Sequence, residues 1–292
     1  MTEAKFKLTE KTINVNGKTL YRIEALKDFG DVKKGDKGGF IENEKNLSQR
    51  GDCWVYENAK VYGNAEVYDD AKVYGNAWVF DNAKVYEDAE VFGIAEVCGD
   101  AVVYCDAEVF GNAQVYDNAK VSGNTQVCGN AKVYGNAKVY GNAVVCDYAK
   151  VRNEAKVRDD VVVCGTARVY GNARVYDNAI ISGKAVVSDR AVVFGNAEIF
   201  GNAIIYDDAI VYDNAEVYNN ARIYGDAFVY GDAQVCGDAF VYDNAEVFGK
   251  AVVCDNAEVY GCARVCNDAE VCDDAEVFDN AVIRDNTKVC DD

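Results

Sequence analysis

The chain has 292 residues, half of them apolar, with 30 basic and 49 acidic side chains and neither proline nor histidine. A net charge of −19 and a pI near 4.4 speak against direct nucleic-acid binding. No run of 18 apolar residues is present for a membrane helix, and the missing histidine excludes every His-dependent mechanism and the commonest metal ligand together.

Residues 1–52 come first and do not repeat. Their start, "MTEAKFKLTEK", has no apolar stretch of the kind that forms a secretory signal, so the expectation is a cytoplasmic protein whose twelve cysteines are mostly free thiols. "TINVNGKTLYRI" sets Asn16-Gly17 between two alternating runs, which predicts a β-hairpin. Gly35, Gly38 and Gly39 then lead into the repeat. The segment reads as an N-terminal cap over the open edge of the first coil, since a solenoid needs its end covered.

From Cys53 onward the chain divides into six-residue units without an insertion. Positions 55, 61, 67 and every sixth to 289 give 40 anchors, each Val or Ile. Two residues before each anchor stands Ala, except at Cys53, Thr125, Val161 and Thr287. Residues two apart in a strand share a face, so Ala and Val point inward while the variable residue and the aromatic point outward. The Gly/Asp and Asn/Asp that follow tolerate positive φ and mark a turn after each short strand. A strand of four residues cannot bury its face alone, so residues 53–292 must coil and stack. Three strands per 18-residue coil make an all-β parallel β-helix of about 13 triangular coils, roughly 60–65 Å long at a spacing of about 4.8 Å.

The stretch "LYRIEALKDFGDVKKGDKGGFIENEKNLSQRGDCWVYENAKVYGNA" (residues 20–65), together with the repeat after it, resembles the YdcK-like bacterial hexapeptide-repeat proteins. The resemblance covers most of the chain. It implies a single-stranded left-handed β-helix, a transferase label and association through the sides of the rod. Acyltransferases of that fold depend on a catalytic histidine and an inserted loop, and their carbonic-anhydrase relatives hold zinc with three histidines. This chain has neither histidine nor insertion, so the expectation is that it is not an enzyme, with no catalytic residue, cofactor or metal site.

The outward slots carry what varies. The slot after each anchor holds 18 Tyr, 7 Phe, 9 Cys, 3 Ser and 3 Arg. Every third unit shares a face, so the rings should stack along the rod, and Cys236, Cys254, Cys272 and Cys290 should stand in one column within disulfide range. Filler, disulfides and a soft-metal site all fit that column; filler is the simplest account. The slot before each anchor carries the charge pattern. Residues 117–174 hold nine basic against five acidic side chains, and Lys120, Lys138, Lys156 and Arg174 fall on one face as a candidate basic patch. Beyond it lies an outward apolar band: Val144, Val162 and Ile180 share one face, Val186, Ile204 and Phe240 a second (with Arg222 interrupting) and Val192, Ile210 and Phe228 a third.

Contiguous outward apolar side chains mark interfaces. The reading is a non-catalytic structural or scaffolding solenoid that self-associates, as a dimer or trimer, through Val186, Val192, Ile204, Ile210, Phe228 and Phe240. One alternative is an acidic rod that binds a basic protein as a nucleic-acid mimic; another is the acyltransferase of the family label. No membrane partner is expected.

Overall fold

The period of six closes because each unit spends two residues on a corner. In a computed structural model, which describes residues 4–291, the first corner residue has positive φ in every unit from Glu57 to Asp285, for example 72° at Gly63 and 55° at Asp69. The second corner residue does not need it. At corners such as Asp117 and Asp147 the carboxylate accepts the N–H of the same slot one coil later, from Gly135 at 3.1 Å and from Gly165 at 2.9 Å. Much of the acidic charge is thus fixed by the corners. The second slot forms side-chain ladders: Asn178 donates to Asn196, Asn196 to Asn214, and Asn214 to Asp232, each at 2.9–3.0 Å.

The strands are shorter than the expected four residues. Only the variable residue and the anchor remain in ladder pairing, as in Lys60–Val61 and Trp78–Val79. The alanine N–H turns back to the ring-slot carbonyl three residues earlier, as from Ala59 to Tyr56 at 3.1 Å. Inward, Ala and Val are fully buried through almost every coil. Burying a valine is worth about 1.5–3 kcal/mol, so a column of anchors is the main stabilising element. Thr125 keeps its place in this core by donating its hydroxyl to Ser122 O at 2.7 Å.

The chain divides into two compact units, residues 1–142 and 143–292. In the first, β1 (Phe6–Val15) and β2 (Lys18–Ala25) form the hairpin, with Asn16 and Gly17 both at positive φ. Strand β3 (Lys37–Ile41) pairs antiparallel with β2 and parallel with Lys60–Val61. Three parallel faces follow: a first through Trp54, Lys72, Glu90, Glu108 and Gln126; a second through Lys60, Trp78, Glu96, Gln114 and Lys132; a third through Glu66, Lys84, Val102, Lys120 and Lys138. The second unit repeats this order, its first face beginning at Val144, its second at Lys150 and its third at Lys156.

Hydrogen bonding in the coils is polar along the stack. Variable-slot and ring-slot N–H groups donate to carbonyls 17 residues later, as from Lys60 to Ala77 at 2.9 Å and Tyr62 to Val79 at 3.0 Å. The first coil of the first unit therefore presents carbonyls, and residues 4–52 meet them with donors. Phe40 N–H bonds Ala59 O, Glu42 N–H bonds Val61 O and Ser48 N–H bonds Val67 O, at 2.8–3.1 Å. The Asn46 side chain donates to Gly63 O and Ala65 O at 3.1 and 2.8 Å. Lys5, 1% exposed, places Nζ 2.9 Å from Cys53 O and 3.2 Å from Gly51 O. The approach is close: a Cβ at Gly38 would lie 2.5 Å from Val55 O.

Candidate functional site

The ring slots form columns whose faces are covered by each other. Tyr176, Phe194, Tyr212, Tyr230 and Phe248 stack at 4.9 Å between centroids, within 11° of parallel. A second run joins Tyr206, Tyr224, Tyr242 and Tyr260 at 4.9–5.0 Å. Only ring edges and hydroxyls face outward, so these columns offer no open face on which a sugar ring can stack. Burial pushes Tyr206, Tyr212, Tyr224 and Tyr230 upward in pKa, and Tyr68 to about 12.

One pair breaks the pattern. Tyr56 and Tyr74 meet edge to face at 87°, because Tyr56 donates to Asp31 of the leading segment at 2.6 Å. Tyr74 donates to Glu90 at 2.7 Å, and Lys72 Nζ lies 4.0 Å from Asp31. Together with Glu57 these residues line a cleft of about 280 Å³. Burial and the neighbouring carboxylates hold both phenols protonated, well above the usual tyrosine range. Sequence reading missed this cleft, since Asp31 sits in the non-repeating segment and nothing in its spacing ties it to Tyr56.

The cysteine column is real, and one rung of it is oxidised. Cys272 and Cys290 form a disulfide across a Cα separation of 4.7 Å, and the other ten cysteines form no disulfide. Cys254, Glu270 and Cys272 bring their donor atoms within 4.8 Å of one another, as do Cys146, Asp147 and Cys164. Burial, followed by a contact with Asp255, pushes the Cys254 thiol up to about 12.

The predicted basic residues meet in pairs. Lys120 is the cross-strand neighbour of Lys138, and Lys156 of Arg174, all four exposed. The six predicted contact residues lie on two faces of the second unit. Val192, Ile210 and Phe228 are consecutive rungs of its third face. On its second face Val186 and Ile204 are neighbours, and Arg222 separates Ile204 from Phe240. The Arg222 guanidinium lies over the Phe240 ring at 5.4 Å, so the row stays apolar across the charge. Phe228 is exposed and the other five are half-buried. No helix among the described residues is long and apolar enough to cross a membrane.

Known proteins give this repeat a name. The YdcK Beta solenoid repeat family matches residues 113–129, 131–147, 167–183, 173–189 and 221–237. A segment of 45 residues, 15% of the chain, is 47% identical to the uncharacterized acetyltransferase YdcK of Escherichia coli (strain K12) and spans only 14% of that protein. The crystal structure of a protein named as an acetyltransferase, from Desulfovibrio desulfuricans G20, aligns over 76% of this chain and 66% of its own, at 11% identity and a TM-score of 0.30. At that score the alignment carries no structural argument.

These names overturn the expectation that the chain is not an enzyme, because the curated relative is named an acetyltransferase. The physical reason is that histidine is the commonest general base but not a required one. Carboxylates serve as well, and Glu57 and Glu90 line the cleft beside Lys72. The matched units are YdcK β-solenoid repeats, and with the 45-residue match they support a YdcK-like repeat protein.

Proposed function

We propose that this β-solenoid associates with further copies of itself through the second and third faces of residues 143–291. The observation that carries the reading is the two outward apolar rows, Val186–Ile204–Phe240 and Val192–Ile210–Phe228, which the monomer leaves partly in water. Burying such rows stabilises by about 25 cal/mol per Å² of apolar surface, and an isolated chain forgoes that gain. Light scattering coupled to size exclusion, at low and high salt with reductant, is the test. The expected result is an assembly of 31.9 kDa subunits that falls apart when Val186, Ile204 and Phe240 are replaced by Ser. A wild-type chain that stays monomeric at high concentration ends this reading.

A second reading, acetyl transfer, is favoured by the named relative and by the cleft at Tyr56 and Tyr74. Its acidic lining suits an amine acceptor, with Glu90 placed to take the proton that leaves the nitrogen. Release of free thiol from acetyl-coenzyme A in the presence of primary amines, lost in Glu90→Gln, is the expected outcome. No release with any amine offered removes it.

A further inference from the structure

The second face of residues 143–291 has an order that the other two lack. Its outward side chains run Lys150, Arg168, Val186, Ile204, Arg222, Phe240, Glu258, Glu276, one per coil and each in register with the next. Two cations stand at one end, two carboxylates at the other, and the apolar row lies between. Lys150 and Arg168 form no ion pair among the described residues, and Glu258 and Glu276 accept only from Tyr242 and Tyr260 hydroxyls, each at 3.0 Å. On the third face Glu246 is already paired with Arg264 at 2.9 Å, and on the first face Glu270 is paired with Lys288 at 2.8 Å.

We infer that this second face is a two-fold, antiparallel docking strip for a second copy of the same chain. The inference rests on the self-association reading and specifies its geometry. Place a two-fold axis along the strand direction, between the Ile204 and Arg222 rungs. Reversing the coil order then sets Lys150 opposite Glu276, Arg168 opposite Glu258, Val186 opposite Phe240 and Ile204 opposite Arg222. Every charge at the ends of the strip meets its opposite. Because the same patch serves both copies, the contact closes on itself and does not propagate. A parallel arrangement would set Lys150 against Lys150 and Glu276 against Glu276, which like-charge repulsion disfavours. Eight rungs at about 4.8 Å make a strip roughly 34 Å long and one strand wide. Such a strip belongs to the weak, concentration-dependent class of interface.

Sedimentation velocity on the full chain over a range of concentrations tests the arrangement. Two charge reversals are compared, Lys150→Glu with Arg168→Glu, and Glu258→Lys with Glu276→Lys. Each is expected to weaken self-association by about tenfold or more, since each juxtaposes like charges. Mixing the two variants, or combining all four substitutions in one chain, is expected to restore association to about the wild-type level. That rescue also shows that the variants fold. If wild type associates but neither reversal weakens it, or if the combination does not rescue, the antiparallel strip is wrong while self-association stands. If wild type does not associate at all, both fall.

Discussion

The two ends of the coil stack face the same physical problem and meet it differently. At the first coil, residues 4–52 supply backbone and side-chain donors to the carbonyls that the stacking leaves open, and they bury Leu20, Ile23, Ile41, Leu47 and Trp54 almost completely. In the last described coil the inward row itself is open: Ala281, Ile283 and Val289 are only half-buried, and the outward Val282 and Phe278 beside them are 53% and 46% exposed. What ties that coil down is covalent, the Cys272–Cys290 disulfide. The same repeat is thus held by packing and hydrogen bonds at one end and by a cross-link at the other. Order in a solenoid depends on what each coil has as its neighbour.

The sharpest way to break the comparison is a matched pair of truncations. Leu20→Ala removes a fully buried side chain that packs with Val15, Phe40 and Tyr62, and is expected to cost about 2–5 kcal/mol in denaturant unfolding. Val282→Ala, at an exposed site, is expected to change stability by about 0.5 kcal/mol or less. Equal costs at the two sites would mean that exposure in the last coil does not reflect its packing.

Next in size is the disulfide. It closes a loop of 18 residues, and opening it is expected to release about 3 kcal/mol of constraint, confined to the last coil. Trypsin should then cleave at Arg284 and Lys288 faster with reductant than without, while sites in residues 150–190 stay protected. Unchanged cleavage at Arg284 would show that the cross-link orders nothing.

The smallest effect per residue is summed over many tyrosines. Folding raises the pKa of Tyr68 and Tyr218 to about 12, the first chiefly by burial and the second chiefly through its contact with Cys236. Burial also raises Tyr206, Tyr212, Tyr224 and Tyr230. The unfolded chain therefore loses these protons first. Stability is expected to be level below the ordinary tyrosine value of 10.0 and to fall as pH rises through it towards about 12. Denaturant midpoints that do not fall across that range would remove the linkage, and a fall confined to the ring columns of one unit would show which column carries it.

Much of this was legible in order and spacing. Six-residue units with Ala and Val two apart fixed the inward face, and an 18-residue count placed Val186 beside Ile204 and Val192 beside Ile210 before any coordinates. Asn16-Gly17 announced the hairpin. The cleft was not legible, because Asp31 reaches Tyr56 by a path through the non-repeating segment. Nor was Lys5: one lysine among Lys5, Lys7 and Lys11 is buried only because first-coil carbonyls need a donor there. The expectation of no catalysis failed for a different reason. It treated the missing histidine and the missing inserted loop as decisive when carboxylates can hold the same proton.

By itself the sequence determined the repeat, the direction in which each side chain points and the rows that share a face, since all three follow from the two-residue alternation of a strand and a constant unit length. The tertiary structure decided which corner residue takes positive φ, which way the N–H groups point along the stack, which cysteines are joined and which charges remain unpaired. Those depend on the residue one coil away, and only folding brings residues 17 or 18 apart into contact.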